Sequence, residues 1–177
     1  MQIEYELKVL DVDVEEVRNR LVELGAKKIG DADSQRYVYD FTPVKENSWV
    51  RLRNQGGQVT LTIKEIEHDG VDGTKELEIV VSDFDQTHKI LEKLGYQFRA
   101  FQENKRESWE LNGVQIEIDS WPMIPIYLEI EGSSESVVMD VLSKLNLSDK
   151  QVTSENTTKV YARYGLDLHA IRDLRFE

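Results

Sequence analysis

The sequence predicts an α+β fold, an eight-stranded antiparallel β-barrel (tunnel) with helices packed on its outer face, and two observations carry that expectation. Eight stretches alternate charged and apolar residues at period two, the mark of strands with two chemically different faces. The charged parity is itself unusual, repeating E-x-E three times and adding R-x-R, where an ordinary water-facing sheet mixes Thr, Ser, Gln and Lys. Closing such a sheet on itself brings all these groups to one lumen.

Taken in order, Ile3 to Val9 is the first alternating stretch. Asp13 then caps a helix from Val14 to Leu24, with Val14, Val17, Leu21 and Leu24 on one stripe and Gly25 as its stop. Further strands are expected at Gln35 to Phe41, Ser48 to Asn54, Val59 to Ile66, Thr74 to Ser82, Glu103 to Leu111, Val114 to Asp119 and Ile126 to Glu131. Gly56-Gly57 and Asn112-Gly113 are hairpin turns, since both pairs tolerate the positive φ that such turns demand. The stripe test adds helices at Phe84 to Leu94, ended by Gly95, and at Glu135 to Leu145. Two shorter helices are expected near Asn156 to Tyr164 and Leu168 to Leu174.

The chain has 177 residues, 40% hydrophobic and 32% charged, with no shift of composition along it, so residues 1–177 are expected to form a single domain. A formal net charge of −12 argues against nucleic acid as a partner, because phosphate backbones require a basic face. No basic stretch followed by an apolar one opens the chain, and no apolar run is long enough to span a bilayer. A cytoplasmic location and no membrane partner are therefore expected. Without cysteine there is no thiolate nucleophile and no sulfur-based zinc site.

Residues two apart on a strand share a face. One face then takes Glu4, Glu6 and Lys8; Arg51 and Arg53; Thr60, Thr62 and Lys64; Glu76 and Glu78; Arg106; Glu117 and Asp119; and Glu129 and Glu131. The other takes Ile3, Leu7, Val50, Leu52, Leu61, Ile63, Leu77, Ile79, Ile116, Ile118, Leu128 and Ile130, to be buried beneath the helices. Any one charged pair would suit a strand facing water; the whole set does not. Carboxylates outnumber cations on that face, an excess that suits a hard divalent ion such as Mg²⁺ or Mn²⁺. Guanidinium groups along a strand suit phosphate oxygens. Together they are equipment for phosphoryl transfer, where positioning and charge neutralisation supply most of the catalysis. No phosphate-cradling Gly-rich motif is present, and His68, His88 and His169 have no metal-ligand spacing. Trp49 shares the inward parity of Arg51 and could stack on a base, although an aromatic near a barrel rim more often serves packing.

From Glu4-x-Glu6-x-Lys8 onward the chain resembles the CYTH family, the triphosphate tunnel metalloenzymes. Arg51-Leu52-Arg53, Thr62-Ile63-Lys64, Glu76 with Glu78, Lys105-Arg106-Glu107, Asp119 and Glu129-Ile130-Glu131 resemble its later motifs, in family order. The resemblance implies a triphosphate-bearing substrate and dependence on Mg²⁺ or Mn²⁺. By residue it implies metal held by Glu4, Glu6, Glu129 and Glu131 with Asp119 beside them, and phosphates gripped by Lys8, Arg51, Arg53, Lys64 and Arg106. Glu4, Glu6, Lys8 and Asp119 are the expected catalytic residues, with Glu76, Glu78 and Glu117 as further tunnel acids. One departure stands out: the basic strand of the family usually carries two inward cations, and here the inward partner of Arg106 is Asn104, with Lys105 turned outward. The expected activity is hydrolysis of inorganic triphosphate or a nucleoside triphosphate, with thiamine triphosphate as a further substrate to test. An adenylyl cyclase acting on ATP is the alternative, and a non-catalytic nucleotide or polyphosphate sensor a third.

Overall fold

A computed structural model describes residues 1–177. Ten strands and four α-helices follow one another as β1 (Gln2–Leu10), α1 (Val14–Glu23), β2 (Lys27–Tyr39), β3 (Ser48–Gln55), β4 (Gln58–Ile66), β5 (Thr74–Val81), α2 (Phe84–Lys93), β6 (Phe98–Leu111), β7 (Val114–Ser120), β8 (Tyr127–Gly132), α3 (Glu135–Lys144), β9 (Gln151–Thr153), α4 (Thr157–Arg163) and β10 (Asp173–Leu174). Eight strands close in the order β6-β2-β3-β4-β5-β1-β8-β7, with β7 returning to β6, and every pairing around this ring is antiparallel. This is the barrel that the strand parity predicts. β9 adds to β1, and β10 adds to β6 in parallel.

Local chemistry sets the turns and helix ends. The two tight hairpins fall where expected: Gly56 and Gly57 at φ 57° and 93°, Asn112 and Gly113 at 53° and 83°. Positive φ at both central positions twists a two-residue turn in the sense its strands require. Asp13 accepts from the backbone N–H of Glu15 and Glu16, satisfying donors the first turn of α1 leaves open. Asp83, Ser134 and Asn156 cap α2, α3 and α4 in the same way.

Three differences from the sequence expectation have physical causes. β2 begins at Lys27 rather than Gln35, and β6 at Phe98 rather than Glu103. The stretch Lys27 to Ser34 is polar and carries a glycine, so it has no strand propensity of its own and is extended by its long ladder with β6. The expected helix from Leu168 to Leu174 is one 3₁₀ turn, Leu168–Ala170, after which Asp173 and Leu174 pair with Phe101 and Gln102. The free edge of β6 takes Asp173 and Leu174 into a ladder, so the chain leaves the helical path after one turn.

The helices cover only part of the barrel. Val17 and Leu21 of α1 and Val138, Val141 and Leu142 of α3 bury the outward side chains of β7, β8 and β1 in the largest core. Phe84 and Leu91 of α2 pack on Tyr39, Val50, Leu52 and Val59. A third core, with Val160, Tyr161 and Leu168 against Leu10, Trp121 and Tyr127, sets the C-terminal segment against one end of the tunnel. Between α2 and α3 the outer face of β5 and the start of β1 have no cover, so Ile3 of β1 and Leu77 and Ile79 of β5 remain 41, 51 and 55% exposed. The expectation that the whole apolar parity is buried is thus corrected. No helix is long and apolar enough to cross a membrane.

Candidate active site

Barrel closure turns the charged parity into the wall of one cavity of about 820 Å³. Every charged residue assigned inward from the sequence lines it: Glu4, Glu6, Lys8, Arg51, Arg53, Lys64, Glu76, Glu78, Arg106, Glu117, Asp119, Glu129 and Glu131. Trp49 lines it too, across the β3–β4 ladder from Lys64. Lys105 faces away, its ammonium 4.9 Å over the Phe176 ring.

The order of strands sorts these groups into two arcs. Four consecutive strands, β5, β1, β8 and β7, bear all eight carboxylates and a single cation, Lys8. The other four, β6, β2, β3 and β4, bear Arg106, Arg36, Arg51, Arg53 and Lys64 and contribute no acid to this set. Ion pairs close the seams between the arcs. At one, Arg106 grips Asp119 with bonds of 2.7 and 2.6 Å and reaches Glu129 at 3.2 Å. At the other, Lys64 lies 2.8 Å from Glu76 and 2.9 Å from Glu4, and Arg51 lies 3.5 Å from Glu76 and 3.3 Å from Glu78. Lys8, 2% exposed, bridges Glu6 at 2.9 Å and Glu129 at 3.3 Å inside the acidic arc.

Even with these pairs, several acids remain poorly compensated, and acid strengths show it. Burial pushes Glu117 up to about 7, with Arg106 no nearer than 4.0 Å. Glu131 pairs with no cation; burial and then the charges of Glu129 and Glu6 raise it. Glu4 is raised by burial, with Glu76 and Glu6 adding to the effect and Lys64 opposing it. Glu129 behaves oppositely. Burial works against its charge, yet Lys8 and Arg106 hold it well below the ordinary carboxylate range. Across the lumen, burial and then Arg51 and Arg106 lower Arg53 to about 10. Burial, then Arg51, Arg53 and Arg106, lower Arg36 as well.

Apart from the Lys8 ammonium, the charged groups of the acidic arc are carboxylates, whose oxygens suit a hard divalent ion better than a soft one. Glu131, which has no cation partner, and Glu4, raised by burial and then by Glu76 and Glu6, are the groups a dication would relieve. As the side chains stand, no three carboxylates converge on one point that could hold an ion. Lys8, Lys64 and Arg106 occupy carboxylate oxygens instead, so an entering ion would have to displace these contacts.

Arg36 was not singled out from sequence. A signal was present: Tyr37 and Tyr39 take the apolar parity of the second strand, which turns Arg36, Val38 and Asp40 inward. Thr62 was assigned inward, but its role emerges only here, where its hydroxyl donates to Glu78 at 2.6 Å and fixes that carboxylate beside Arg51.

A family model described as CYTH domain matches residues 2–161. Among solved structures, the PH1012 protein of Pyrococcus horikoshii OT3 is 23% identical with a TM-score of 0.76, over 87% of this chain and 96% of its own. A Vibrio parahaemolyticus protein described as an adenylate cyclase candidate is 14% identical with a TM-score of 0.78, over 91% of this chain and 98% of its own. The Hippeastrum protein HpAC1, a candidate adenylyl cyclase described as having a dominant triphosphatase activity, is 12% identical with a TM-score of 0.62, over 93% of this chain and 96% of its own. At such identities the likeness shows the fold. No curated protein matches the chain.

Proposed function

The chain belongs to the CYTH family, and from that premise we propose that it is a divalent-metal-dependent hydrolase of triphosphates, acting on inorganic triphosphate or a nucleoside triphosphate. One observation carries the reading: a cationic arc faces an acidic arc across a single lumen. A polyanion complexed with a dication is the ligand that matches both walls at once. A bare anion would leave eight carboxylates unexplained, and a bare metal site would leave the arginines so.

In this reading Arg51 and Arg53, on one strand face and roughly 6–7 Å apart, take successive phosphates of one chain. Arg106 and Lys64 stand at the seams and divide their charge between phosphate and carboxylate. Lys8 reaches toward the phosphates from the acidic side, its ammonium aimed by Glu6 and Glu129. Mg²⁺ or Mn²⁺, held by Glu4, Glu6, Glu129 and Glu131 with Asp119, would neutralise charge that develops on the phosphate oxygens. Carboxylates of the acidic arc accept hydrogen bonds from the attacking water.

The test separates products. Purified protein with Mg²⁺ or Mn²⁺ is given inorganic triphosphate, ATP or thiamine triphosphate, and phosphate, pyrophosphate and cyclic AMP are measured. Phosphate release supports the hydrolase. Cyclic AMP with pyrophosphate makes the protein an adenylyl cyclase, whose metal–triphosphate complex the same arcs would bind. No product with any substrate, despite binding, makes it a sensor.

A further inference from the structure

Among the cations of the two arcs, the one without a carboxylate partner is Arg36, on β2 opposite Arg53 of β3 and Gln102 of β6. Its side chain is buried, its Nε has no hydrogen-bond partner, and no carboxylate lies within ion-pairing distance of it. The guanidinium lies 4.6 Å over the Trp121 ring and donates to Asn104 Oδ1. Asn104 in turn donates to Asp119 at 3.4 Å, so its amide holds an acid on one side and an arginine on the other. A lysine or arginine at position 104 could not accept from Arg36 and would repel it. Asparagine there and arginine at position 36 are a matched pair.

Burying a guanidinium without an anionic partner is unfavourable, and a stack on an indole together with one neutral acceptor recovers only part of the lost solvation. An anion entering the lumen supplies what is missing. We propose that Arg36 is a substrate-binding residue, a fourth guanidinium for the phosphate chain beside Arg51, Arg53 and Arg106, steered into the lumen by Asn104 and Trp121. The assignment rests on the triphosphate reading above. It also accounts for Asn104: the cation absent from β6 is delivered from the neighbouring strand.

Arg36→Gln and Arg36→Lys are compared with the parent by calorimetric titration with imidotriphosphate, and separately with orthophosphate, in Mg²⁺. Melting of the ligand-free proteins is followed in parallel. For Arg36→Gln, loss of a charge-assisted contact predicts a ten- to a hundredfold weaker binding of imidotriphosphate, roughly. The loss for orthophosphate should be smaller. Arg36→Lys should recover part, since it restores charge without the fork. Ligand-free Arg36→Gln should melt no lower than the parent, because it removes a cation from among three others. Parent-like affinity in Arg36→Gln overturns the assignment while leaving the triphosphate reading intact. Weak binding together with a lowered ligand-free melting point, and no recovery in Arg36→Lys, makes Arg36 structural and also overturns it. A parent that binds no imidotriphosphate overturns both readings. If Arg36→Gln does not fold, Arg36→Lys decides, and unchanged affinity there sinks the assignment.

Discussion

Replacing Glu117 by Gln tests whether the acidic arc is under electrostatic load. Glu117 faces Glu129 across the β7–β8 ladder, is buried, and has one carboxylate oxygen without a hydrogen-bond partner. Burial raises its pKa from 4.5 to about 7. A carboxyl that holds its proton more tightly when folded favours folding at low pH, and this advantage is lost as pH rises from the unfolded value through the folded one. Two and a half pH units correspond to about 3 kcal/mol of destabilisation, complete above about pH 7. The amide carries no charge at any pH, so Glu117→Gln should be more stable than the parent by an amount that grows with pH. Between about pH 5.5 and 8.5 the gap should widen by about 2 kcal/mol, roughly 4–8 °C of melting temperature for a chain of this size. Thermal melts in EDTA across that range read it directly. A gap that does not change with pH would show that the gain came from packing. A variant less stable at the alkaline end would show that the acidic arc carries no excess charge.

Other expectations follow from the same map. Glu131→Gln should raise metal-free stability at alkaline pH, whereas Glu129→Gln should lower it by on the order of 1–3 kcal/mol, since Lys8 and Arg106 lose a buried partner; melting in EDTA distinguishes them, and equal signs would contradict the assigned pairing. The Glu129→Ala and Glu131→Ala variants should fold, which circular dichroism checks, yet lose turnover that excess Mg²⁺ or Mn²⁺ does not restore; parent turnover persisting in excess EDTA would end the metal hypothesis. Arg53→Ala should weaken triphosphate binding about ten- to a hundredfold, with Lys recovering part. In the same titration Arg106→Ala should lose affinity and Lys105→Ala almost none, because Lys105 lies on the outer face over Phe176.

The inward set was legible in the sequence because backbone geometry imposes it. Successive strand residues point to opposite faces, so once Glu4-x-Glu6 or Arg51-x-Arg53 lies in a strand, its companions follow without knowledge of the partner strand. Turns and caps were legible for a similar reason, since Asn112-Gly113 and Asp13 act on their own backbone. Strand ends were not: Lys27 to Ser34 is extended only because β6 lies beside it. Nor was the bare outer face of β5, since a residue's parity does not say whether a helix lies over it.

What the sequence by itself determined is which side chains enter the lumen; which charges meet there was decided by the tertiary structure. The order of strands around the barrel separates acids from cations into two arcs and brings Arg36 beside Asn104 and Trp121, residues 68 and 85 positions away along the chain. Glu129 and Glu131 show why. They are identical in chemistry and two apart on one strand, yet Lys8 and Arg106 lower the first, while burial and the first's own charge raise the second. Acid strength depends on distance to neighbouring charge in a poorly solvated interior, and those distances exist only after the sheet has closed.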